Sequence, residues 1–230
     1  RCGGRPNGMA TEVEAKLIAT GPEPLDVLAA VPGLAEASLG PVRTVDELDL
    51  YLDTADGRLA GARWACRLRD RGSGPYVSLK GPAGGVDADG MHRRPELEGP
   101  ANASLDASTW PPSDARDVLL RLTGGGPLTE RIRLHQLRLE RTVHLDGRPF
   151  GVLSLDTGEV ASPSQPDRRL APLHLVELEL DAGRADDTAA LARLATLAAV
   201  LAGMDGLRAD PTTKLEHAMR LLATDEAGRT

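Results

Sequence analysis

Residues 11–19 read TEVEAKLIA, and the alternation within this stretch is the feature from which the fold is predicted. Its charged side chains, Glu12, Glu14 and Lys16, stand at every second position and are separated by apolar side chains. A period of two residues is typical of a β-strand that has one polar and one apolar face. The polar face of one such strand is usually only solvated, so this stretch alone indicates no site.

Several later segments repeat the alternation with charges of both signs. The residues concerned are Arg67 and Arg69, Lys80 at the end of the following strand, Arg94, Glu96 and Glu98, and finally Glu177 and Glu179. If these faces turned outward, nothing would require them to be so evenly charged while the opposite faces are so evenly aliphatic. If they turn into a barrel, carboxylates and basic groups gather together in its interior.

Such an interior needs two kinds of partner. Clustered carboxylates repel one another unless a divalent cation joins them, and a site with oxygen ligands alone suits Mg²⁺ or Mn²⁺. Clustered arginines and lysines repel one another unless a polyanion lies between them, and the arginine fork matches phosphate. A metal-bound polyphosphate satisfies both sets at once.

The strand tally predicts the fold class. The predicted strands are 11–19, 42–54, 64–70, 76–80, 91–98, 128–145, 149–160 and 173–181, and the predicted helices are 24–31, 113–122, 185–202 and 212–223. Most of these strands follow one another as hairpins. We therefore predict an α+β fold in which a closed eight-stranded antiparallel β-barrel, a tunnel, is surrounded by helices. Pro95 is awkward within its strand and is tolerable at a bulge or an edge.

Composition limits the classes of protein and partner. The 230 residues predict one domain over 9–223, with a disordered lead-in at 1–8 and a tail at 224–230. Aromatic residues make up 2% of the chain and the formal charge is −7, which argues against a nucleic-acid partner. Cys2 and Cys66 form no disulfide framework, and no membrane span is evident, so a reduced, cytoplasmic protein is expected.

The ordered set of charged motifs resembles the CYTH superfamily, the triphosphate tunnel metalloenzymes. The motifs are Glu12-x-Glu14-x-Lys16, Tyr51-Leu52-Asp53-Thr54, Arg67-Leu68-Arg69, Leu79-Lys80, Arg94-Pro95-Glu96-Leu97-Glu98, Arg141, Leu155-Asp156-Thr157, Glu177-Leu178-Glu179 and Lys214. The resemblance extends from about Met9 to Leu222. Each motif is weak by itself, and their order along the chain gives the resemblance its weight.

The resemblance implies an eight-stranded tunnel, dependence on Mg²⁺ or Mn²⁺, and a small-molecule triphosphate as substrate. It implies metal ligation, directly or through water, by Glu12, Glu14, Asp156, Glu177 and Glu179. It implies phosphate binding by Lys16, Arg67, Arg69, Lys80, Arg94, Arg141 and Lys214. The candidate catalytic residues are Glu12, Glu14, Glu177, Glu179 and Tyr51.

Three assignments stay open at this point. Arg138 could replace or join Arg141, because the two differ in strand parity and only one of them should point inward. Glu96 and Glu98 could bind a second metal ion or could only balance the basic lining. Tyr51 could handle a proton or could belong to the core, which is the commoner place for tyrosine.

Other polar residues have simpler interpretations. His92, His135, His144 and His174 have no cysteine partners, so no zinc site is expected from them. Asp53 and Thr54 could merely cap a turn. The glycines at 124–126 lack the Lys-Ser/Thr of a phosphate-binding loop and read as a connector.

Three functions fit such a tunnel. The first is hydrolysis of a triphosphate, either inorganic or organic, by attack of water on a terminal phosphorus. The second is adenylate cyclisation of the class IV type, and the third is a non-catalytic polyphosphate-binding module. The scarcity of aromatic residues favours inorganic triphosphate or a broad triphosphatase. Thiamine-specific relatives carry an aromatic residue where this chain has Ala65, with Trp64 only adjacent.

Overall fold

The computed structural model describes residues 9–72, 74–86 and 91–228, so the predicted lead-in lies outside the described residues. The strands are β1 (Ala10–Ala19), β2 (Gly33–Leu34), β3 (Ala37–Leu39), β4 (Arg43–Thr54), β5 (Ala65–Asp70), β6 (Tyr76–Lys80), β7 (Gly85–Val86), β8 (Met91–Pro100), β9 (Leu128–Leu145), β10 (Arg148–Ala161), β11 (Leu173–Leu180) and β12 (Leu207–Ala209). The helices are α1 (Glu23–Ala30), α2 (Arg58–Gly61), α3 (Asp114–Thr123), α4 (Thr188–Ala202) and α5 (Lys214–Ala227), with a 3₁₀ turn at Ala107–Thr109.

Eight of these strands close into a barrel, as the sequence predicts. Their order is β10-β11-β1-β8-β6-β5-β4-β9, and β9 also pairs with β10, so the ring has no free edge. Each neighbouring pair in the ring is antiparallel. The short strands β2, β3, β7 and β12 lie outside this ring, and β12 extends the pairing of β1.

The aliphatic faces of the strands turn outward, and the helices pack against them. Val13, Ala15 and Leu17 of β1 pack in one core together with residues of α1 and α4, such as Leu28 and Leu194. A second outer core forms where α3 covers β6 and β8. Burying a leucine or valine side chain contributes about 1.5–3 kcal/mol, so these outer layers hold the helices against the barrel.

Helix α3 begins and ends as the sequence predicts. Its N-cap is Ser113, whose hydroxyl accepts a hydrogen bond from the Arg116 amide, and it stops at Gly124, which has a φ of 65°. Helix α5 begins with a capping box between Thr213 and Glu216. It runs on to Ala227, four residues beyond the predicted end.

One part of the barrel interior is apolar. Ile132 and Leu134 of β9, Val160 of β10, and Leu173 and Leu175 of β11 form a third core there. Ala218 of α5 packs into the same core. Helix α5 is therefore anchored to the barrel through its interior, and this brings the first residue of the helix, Lys214, to the charged side chains described below.

Pro95 is accommodated inside the sheet without a bulge. It lies opposite Thr11 of β1, and its carbonyl accepts a hydrogen bond from Gly81, the residue that follows β6. The missing N–H of Pro95 faces the same side as this carbonyl, next to the end of β6, so the proline lies where the pairing with β6 stops. None of the described helices is both long and apolar enough to cross a membrane.

Candidate functional site

A cavity of about 1190 Å³ occupies the interior of the barrel, and all eight barrel strands contribute to its lining. Most residues predicted for the site are among those that line it. They are Glu12, Lys16, Tyr51, Arg67, Arg69, Lys80, Arg94, Glu96, Glu98, Arg138, Glu177, Glu179 and Lys214. Glu14 and Asp156 are buried and bonded directly to basic residues of this lining.

Glu12 joins two basic residues from neighbouring strands. Lys80 Nζ donates to Glu12 Oε1 at 2.5 Å, and Arg94 Nε donates to Glu12 Oε2 at 2.9 Å. Arg94 Nη2 also donates to Glu14 Oε1 at 3.0 Å. Burial alone would raise the pKa of Glu12, but Lys80, Arg94 and Lys16 together hold this pKa well below its usual range. Glu12 is therefore ionised inside the barrel.

A second cluster connects β1, β9, β10, β11 and α5. Arg138 donates to both oxygens of Asp156, at 2.7 and 2.8 Å, and to Glu177 at 3.0 Å. Lys214 Nζ donates to Asp156 at 2.6 Å and to Glu177 at 2.9 Å, and Lys16 Nζ donates to the other oxygen of Glu177 at 2.9 Å. Although burial opposes it, these cations lower the pKa of Asp156 and of Glu177. Five residues that are remote in sequence thus share one charged network.

Two buried carboxylates in this interior were missed by the sequence analysis. Glu47 and Asp49 of β4 are completely buried, and the amide of Gln136 donates to both, at 2.7 and 3.1 Å. They share the inner face with Tyr51, and apolar Leu48 and Leu50 alternate with them. The period-two rule that found Glu12 and Glu14 would therefore also have found this pair.

The two arginines of the Arg-x-Arg motif are bound differently. Arg69 forms a bidentate pair with Asp49, with both contacts at 2.6 Å, and lies 3.1 Å from Glu47. Arg67 lies 3.6 Å from Asp49, and its buried Nε has no hydrogen-bond partner among the described residues. Arg69 is therefore largely neutralised by the protein, while Arg67 retains a buried donor without an acceptor among the described residues.

Arg141 is a correction to the predicted phosphate-binding set. Its guanidinium lies on the opposite face of β9 from Arg138. There it donates to the carbonyls of Leu28 and Ala29 in the last turn of α1, of Val31 just after it, and of Leu39 and Gly40. The spacing of three residues between the two arginines puts them on different faces of the strand. Arg138 points inward, and Arg141 holds α1 to the outside of the barrel.

The remaining open assignments are placed as follows. Glu96 accepts a hydrogen bond from Ser78 at 2.8 Å and lies 3.6 Å from Lys80, while Glu98 is half-buried at the cavity lining. Tyr51 lines the cavity and also packs against the apolar core of the interior. Asp53 is outside the cavity and accepts hydrogen bonds from the amides of Leu59 and Ala60, so it caps α2 as the simpler interpretation expected.

The acidic residues that face the cavity offer carboxylate oxygens, which are the type of ligand that a hard divalent cation prefers. Among the described residues, no group of three His, Cys, Asp or Glu side chains is arranged to hold a metal ion. The carboxylates of Glu12, Glu14, Asp156 and Glu177 are instead paired with lysines and arginines. A metal-bound polyanion could exchange with these pairs, since the cation would take the carboxylates and the phosphates would take the basic groups.

Comparison with known proteins agrees with this geometry. The sequence model of the CYTH domain matches residues 10–206, which is most of the chain. No curated protein matches the chain.

Solved structures share the fold at low sequence identity. A putative adenylyl cyclase from Hippeastrum, described as having a dominant triphosphatase activity, is 19% identical with a TM-score of 0.60, covering 91% of this chain and 95% of its own. A putative adenylate cyclase from Bacillus halodurans is 17% identical with a TM-score of 0.59, covering 91% and 98%. The PH1819 protein from Pyrococcus horikoshii is 17% identical with a TM-score of 0.52, with the same coverage.

Proposed function

The chain belongs to the CYTH domain family, whose members are triphosphatases or adenylate cyclases, and on this premise we propose that it is a divalent-metal-dependent triphosphatase. The proposed substrate is a small inorganic or organic triphosphate bound in the barrel cavity. The proposed cofactor is Mg²⁺ or Mn²⁺, in keeping with the general dependence of this family on a divalent metal.

One observation carries the proposal. Of the ten lysines and arginines that line the barrel cavity, seven are those predicted for the site, and carboxylates lie among them. The seven are Lys16, Arg67, Arg69, Lys80, Arg94, Arg138 and Lys214. Burying so many charges is costly unless the ligand makes use of them. The buried Nε of Arg67 in particular has no acceptor among the described residues. Buried donors are normally hydrogen-bonded, and a phosphate oxygen of the substrate would supply the acceptor.

The residues divide into two proposed roles. Glu12, Glu14, Asp156, Glu177 and Glu179 would hold the cation, with Glu96 and Glu98 as candidates for a second one. Lys16, Arg67, Lys80, Arg94, Arg138 and Lys214 would hold phosphate oxygens, and Arg69 would fix the position of Asp49, which also lies 3.6 Å from Arg67. A bound divalent cation supplies charge neutralisation at the phosphate oxygens.

The proposed reaction is an in-line displacement at a terminal phosphorus. A water oxygen forms the new bond to phosphorus, and the bond from phosphorus to the bridging oxygen breaks. The basic groups that surround the cavity stabilise the negative charge that moves onto the leaving diphosphate. A carboxylate of the acidic cluster would orient the water and take up its proton.

The aromatic residues of the cavity bear on the choice between an inorganic and an organic substrate. The chain has two Trp, two Tyr and one Phe, and Trp64, Tyr51 and Tyr76 all line the cavity. The scarcity of aromatic residues is therefore a weak argument against an organic triphosphate, because three of the five line the cavity.

Product analysis tests the proposal. The protein is incubated with tripolyphosphate or with ATP, in Mg²⁺ and in Mn²⁺ separately. We expect orthophosphate from tripolyphosphate. Cyclic AMP and diphosphate from ATP would instead assign the cyclase activity found in the same family. Tight binding of tripolyphosphate without turnover in either metal would overturn the proposal and identify a binding module.

A further inference from the structure

Three of the ten cationic side chains that line the barrel cavity are not among those predicted for the site, namely Arg43, Arg63 and Arg71. Arg43 is paired with Glu140, and Arg71 is paired with Glu47. Arg63 forms no ion pair or side-chain hydrogen bond with any residue that the structure describes. Each of the other nine cationic side chains of the lining has a carboxylate oxygen within 3.6 Å. Within the described lining, Arg63 is therefore the cation whose charge no carboxylate of the protein balances.

Arg63 lies where the cavity meets solvent at one end of the barrel. It is exposed, and it also lines the cavity. It precedes β5, whose first residues pair with the last residues of β4, whereas Arg43 begins β4. The two arginines therefore mark opposite ends of the tunnel. Ala65, two residues after Arg63, lies directly opposite Lys80 of β6. Two residues of chain span at most about 7 Å, so Arg63 is close to an interior candidate for phosphate binding.

The backbone of Arg63 adopts a conformation that suits glycine better than arginine. Its φ is 61°, its amide donates to the Ala60 carbonyl at 2.9 Å, and the Trp64 amide donates to the Leu59 carbonyl at 2.9 Å. These bonds end α2 in the way in which helices commonly end at a glycine. A residue that carries a Cβ is strained in this left-handed region. Strained residues that persist in a fold cluster at functional sites.

The other non-glycine residues with positive φ in the described chain lie in a different kind of place. Ala35, with a φ of 51°, and Asp146, with a φ of 52°, lie in hairpin turns and do not line the cavity. At Arg63 the strained backbone instead brings a charged side chain to the cavity. Trp64 fixes this segment, because its ring packs so closely on Gly81 that a Cβ at Gly81 would lie 3.1 Å from the ring.

This end of the tunnel has room for a group beyond a triphosphate. The cavity volume of about 1190 Å³ exceeds the roughly 300–1000 Å³ typical of pockets for drug-sized ligands. A small triphosphate therefore fills only part of the cavity. The planar fork of a guanidinium matches phosphate oxygens. Because Arg63 is exposed and has no carboxylate partner, it can bind an anion without first giving up an ion pair.

We propose that Arg63 forms an outer phosphate site at this end of the tunnel, which binds the fourth phosphate of a linear inorganic polyphosphate while the interior basic residues hold the first three. The proposal rests on the proposed function and adds a class of substrate to it. Affinity then rises from tripolyphosphate to tetrapolyphosphate, and the increase depends on Arg63. The increase shrinks as the salt concentration rises, because the guanidinium is exposed.

Calorimetric titration compares tripolyphosphate with tetrapolyphosphate, with and without Mn²⁺, in the wild-type chain and in Arg63→Gln. We expect the wild type to bind the longer chain about three- to tenfold more tightly at low salt, which is the gain from one exposed charged contact to phosphate. Arg63→Gln should bind both chains equally, with an affinity for tripolyphosphate within about twofold of the wild-type value.

Three results would overturn the outer site. The first is equal affinity of the wild type for the two chains, and the second is a gain that persists in Arg63→Gln. The third is a gain for ATP over tripolyphosphate that Arg63→Gln abolishes, with no gain for tetrapolyphosphate, which would assign Arg63 to an organic group.

Matched variants separate the charge of Arg63 from its backbone. Arg63→Gly removes both the charge and the strain, so it should lose the chain-length gain and raise the urea midpoint of unfolding by about 0.3 M. Ala35→Gly relieves the same kind of strain outside the cavity and should raise the midpoint while keeping the gain. Arg148→Gln removes an exposed arginine outside the cavity lining and should also keep the gain. A gain lost equally in Arg148→Gln would contradict the proposal, because net charge rather than a site at Arg63 would then be its cause.

The two proposals fail separately. Turnover of tripolyphosphate together with equal affinity for the two chains would remove the outer site and leave the triphosphatase standing. A chain-length gain that Arg63→Gln abolishes, without turnover of either chain, would keep the outer site and remove the triphosphatase.

Discussion

Strands β9, β10 and β11 cross two different environments on the inner face of one barrel. In one layer of the interior, called here the apolar level, the inward side chains form a core with α5. They are Ile132, Leu134, Val160, Leu173 and Leu175. A few residues away on the same strands lies a second layer, called here the charged level. Its inward side chains are Gln136, Arg138, Ser154, Asp156 and Glu177. The backbone pairing continues without change between the two levels.

The difference between these levels separates stability from function. The apolar level gains free energy from burial, and it would serve any barrel of this shape. The charged level pays desolvation for each ionised group, and a well-packed apolar replacement of a buried ion pair is often neutral or stabilising. Side chains at the charged level are therefore explained by a ligand rather than by the fold. The following predictions test this division, from the largest expected effect to the smallest.

The largest effect is expected from a double change at the charged level. Glu12→Gln/Glu177→Gln keeps side-chain volume and removes two carboxylates from the proposed cation site. Metal-dependent turnover of tripolyphosphate should fall by about 10³-fold or more. Circular dichroism should show that the barrel remains folded. Glu36→Gln, at an exposed surface pair with Arg193, is the matched control and should keep full activity. Retained activity in the double variant would count heavily against the proposed site.

The two arginines of β5 should respond in opposite ways. Arg69→Ala leaves Asp49 buried without its bidentate partner, and we expect a loss of about 3–5 kcal/mol in the free energy of unfolding. Arg67→Ala removes a more weakly paired cation. It should cost less stability and should weaken tripolyphosphate binding by about 10–100-fold, the effect of losing a charge-assisted hydrogen bond. Urea unfolding and titration calorimetry give both numbers, and equal behaviour of the two variants would refute the distinction.

At the apolar level the expected effect is on stability alone. Ile132→Ala leaves a cavity in a fully buried core and should lower the free energy of unfolding by about 2–5 kcal/mol. Affinity for tripolyphosphate should stay close to the wild-type value, because no charged group is altered. A large loss of affinity with an intact fold would show that the two levels are not independent.

Acid should weaken the charged level selectively. Arg67 and Arg69 overcome the effect of burial and lower the pKa of Asp49 from 3.8 to about 2. A depressed pKa gives stability that is complete above the unfolded value of 3.8 and is lost as the pH falls toward 2. The contribution is about 2 kcal/mol. Asp49→Asn should flatten the pH dependence of unfolding between pH 5 and 2, whereas Asp117→Asn, at an exposed residue of α3, should not.

The strands and most of the inward residues could be predicted because period two is a local property of the chain. The alternation around Glu12, Arg67 and Glu177 is enough to identify one face, and closure of the ring then brings these faces together. Glu47 and Asp49 obey the same rule, but the charged residue Asp46 on the opposite face makes the alternation of β4 less regular.

Other features depend on tertiary contacts that no local pattern contains. Arg141 is held by carbonyls at the end of α1, more than a hundred residues earlier in the chain, and its orientation follows from the register of β9 in the barrel. The contact of His92 with the backbone of Asp210 is of the same kind, because Asp210 follows β12 and its amide donates to Lys16 of β1. Neither partner could be identified from spacing.

Calorimetric titration of tripolyphosphate into the protein, with and without Mn²⁺, tests most directly whether the charged level is a binding site. We expect saturable one-to-one binding that strengthens with Mn²⁺, is weaker for diphosphate, and is reduced by Arg67→Ala but not by Ile132→Ala. If tripolyphosphate shows no saturable binding in either condition, the buried charges have another cause and the division drawn between the two levels is wrong.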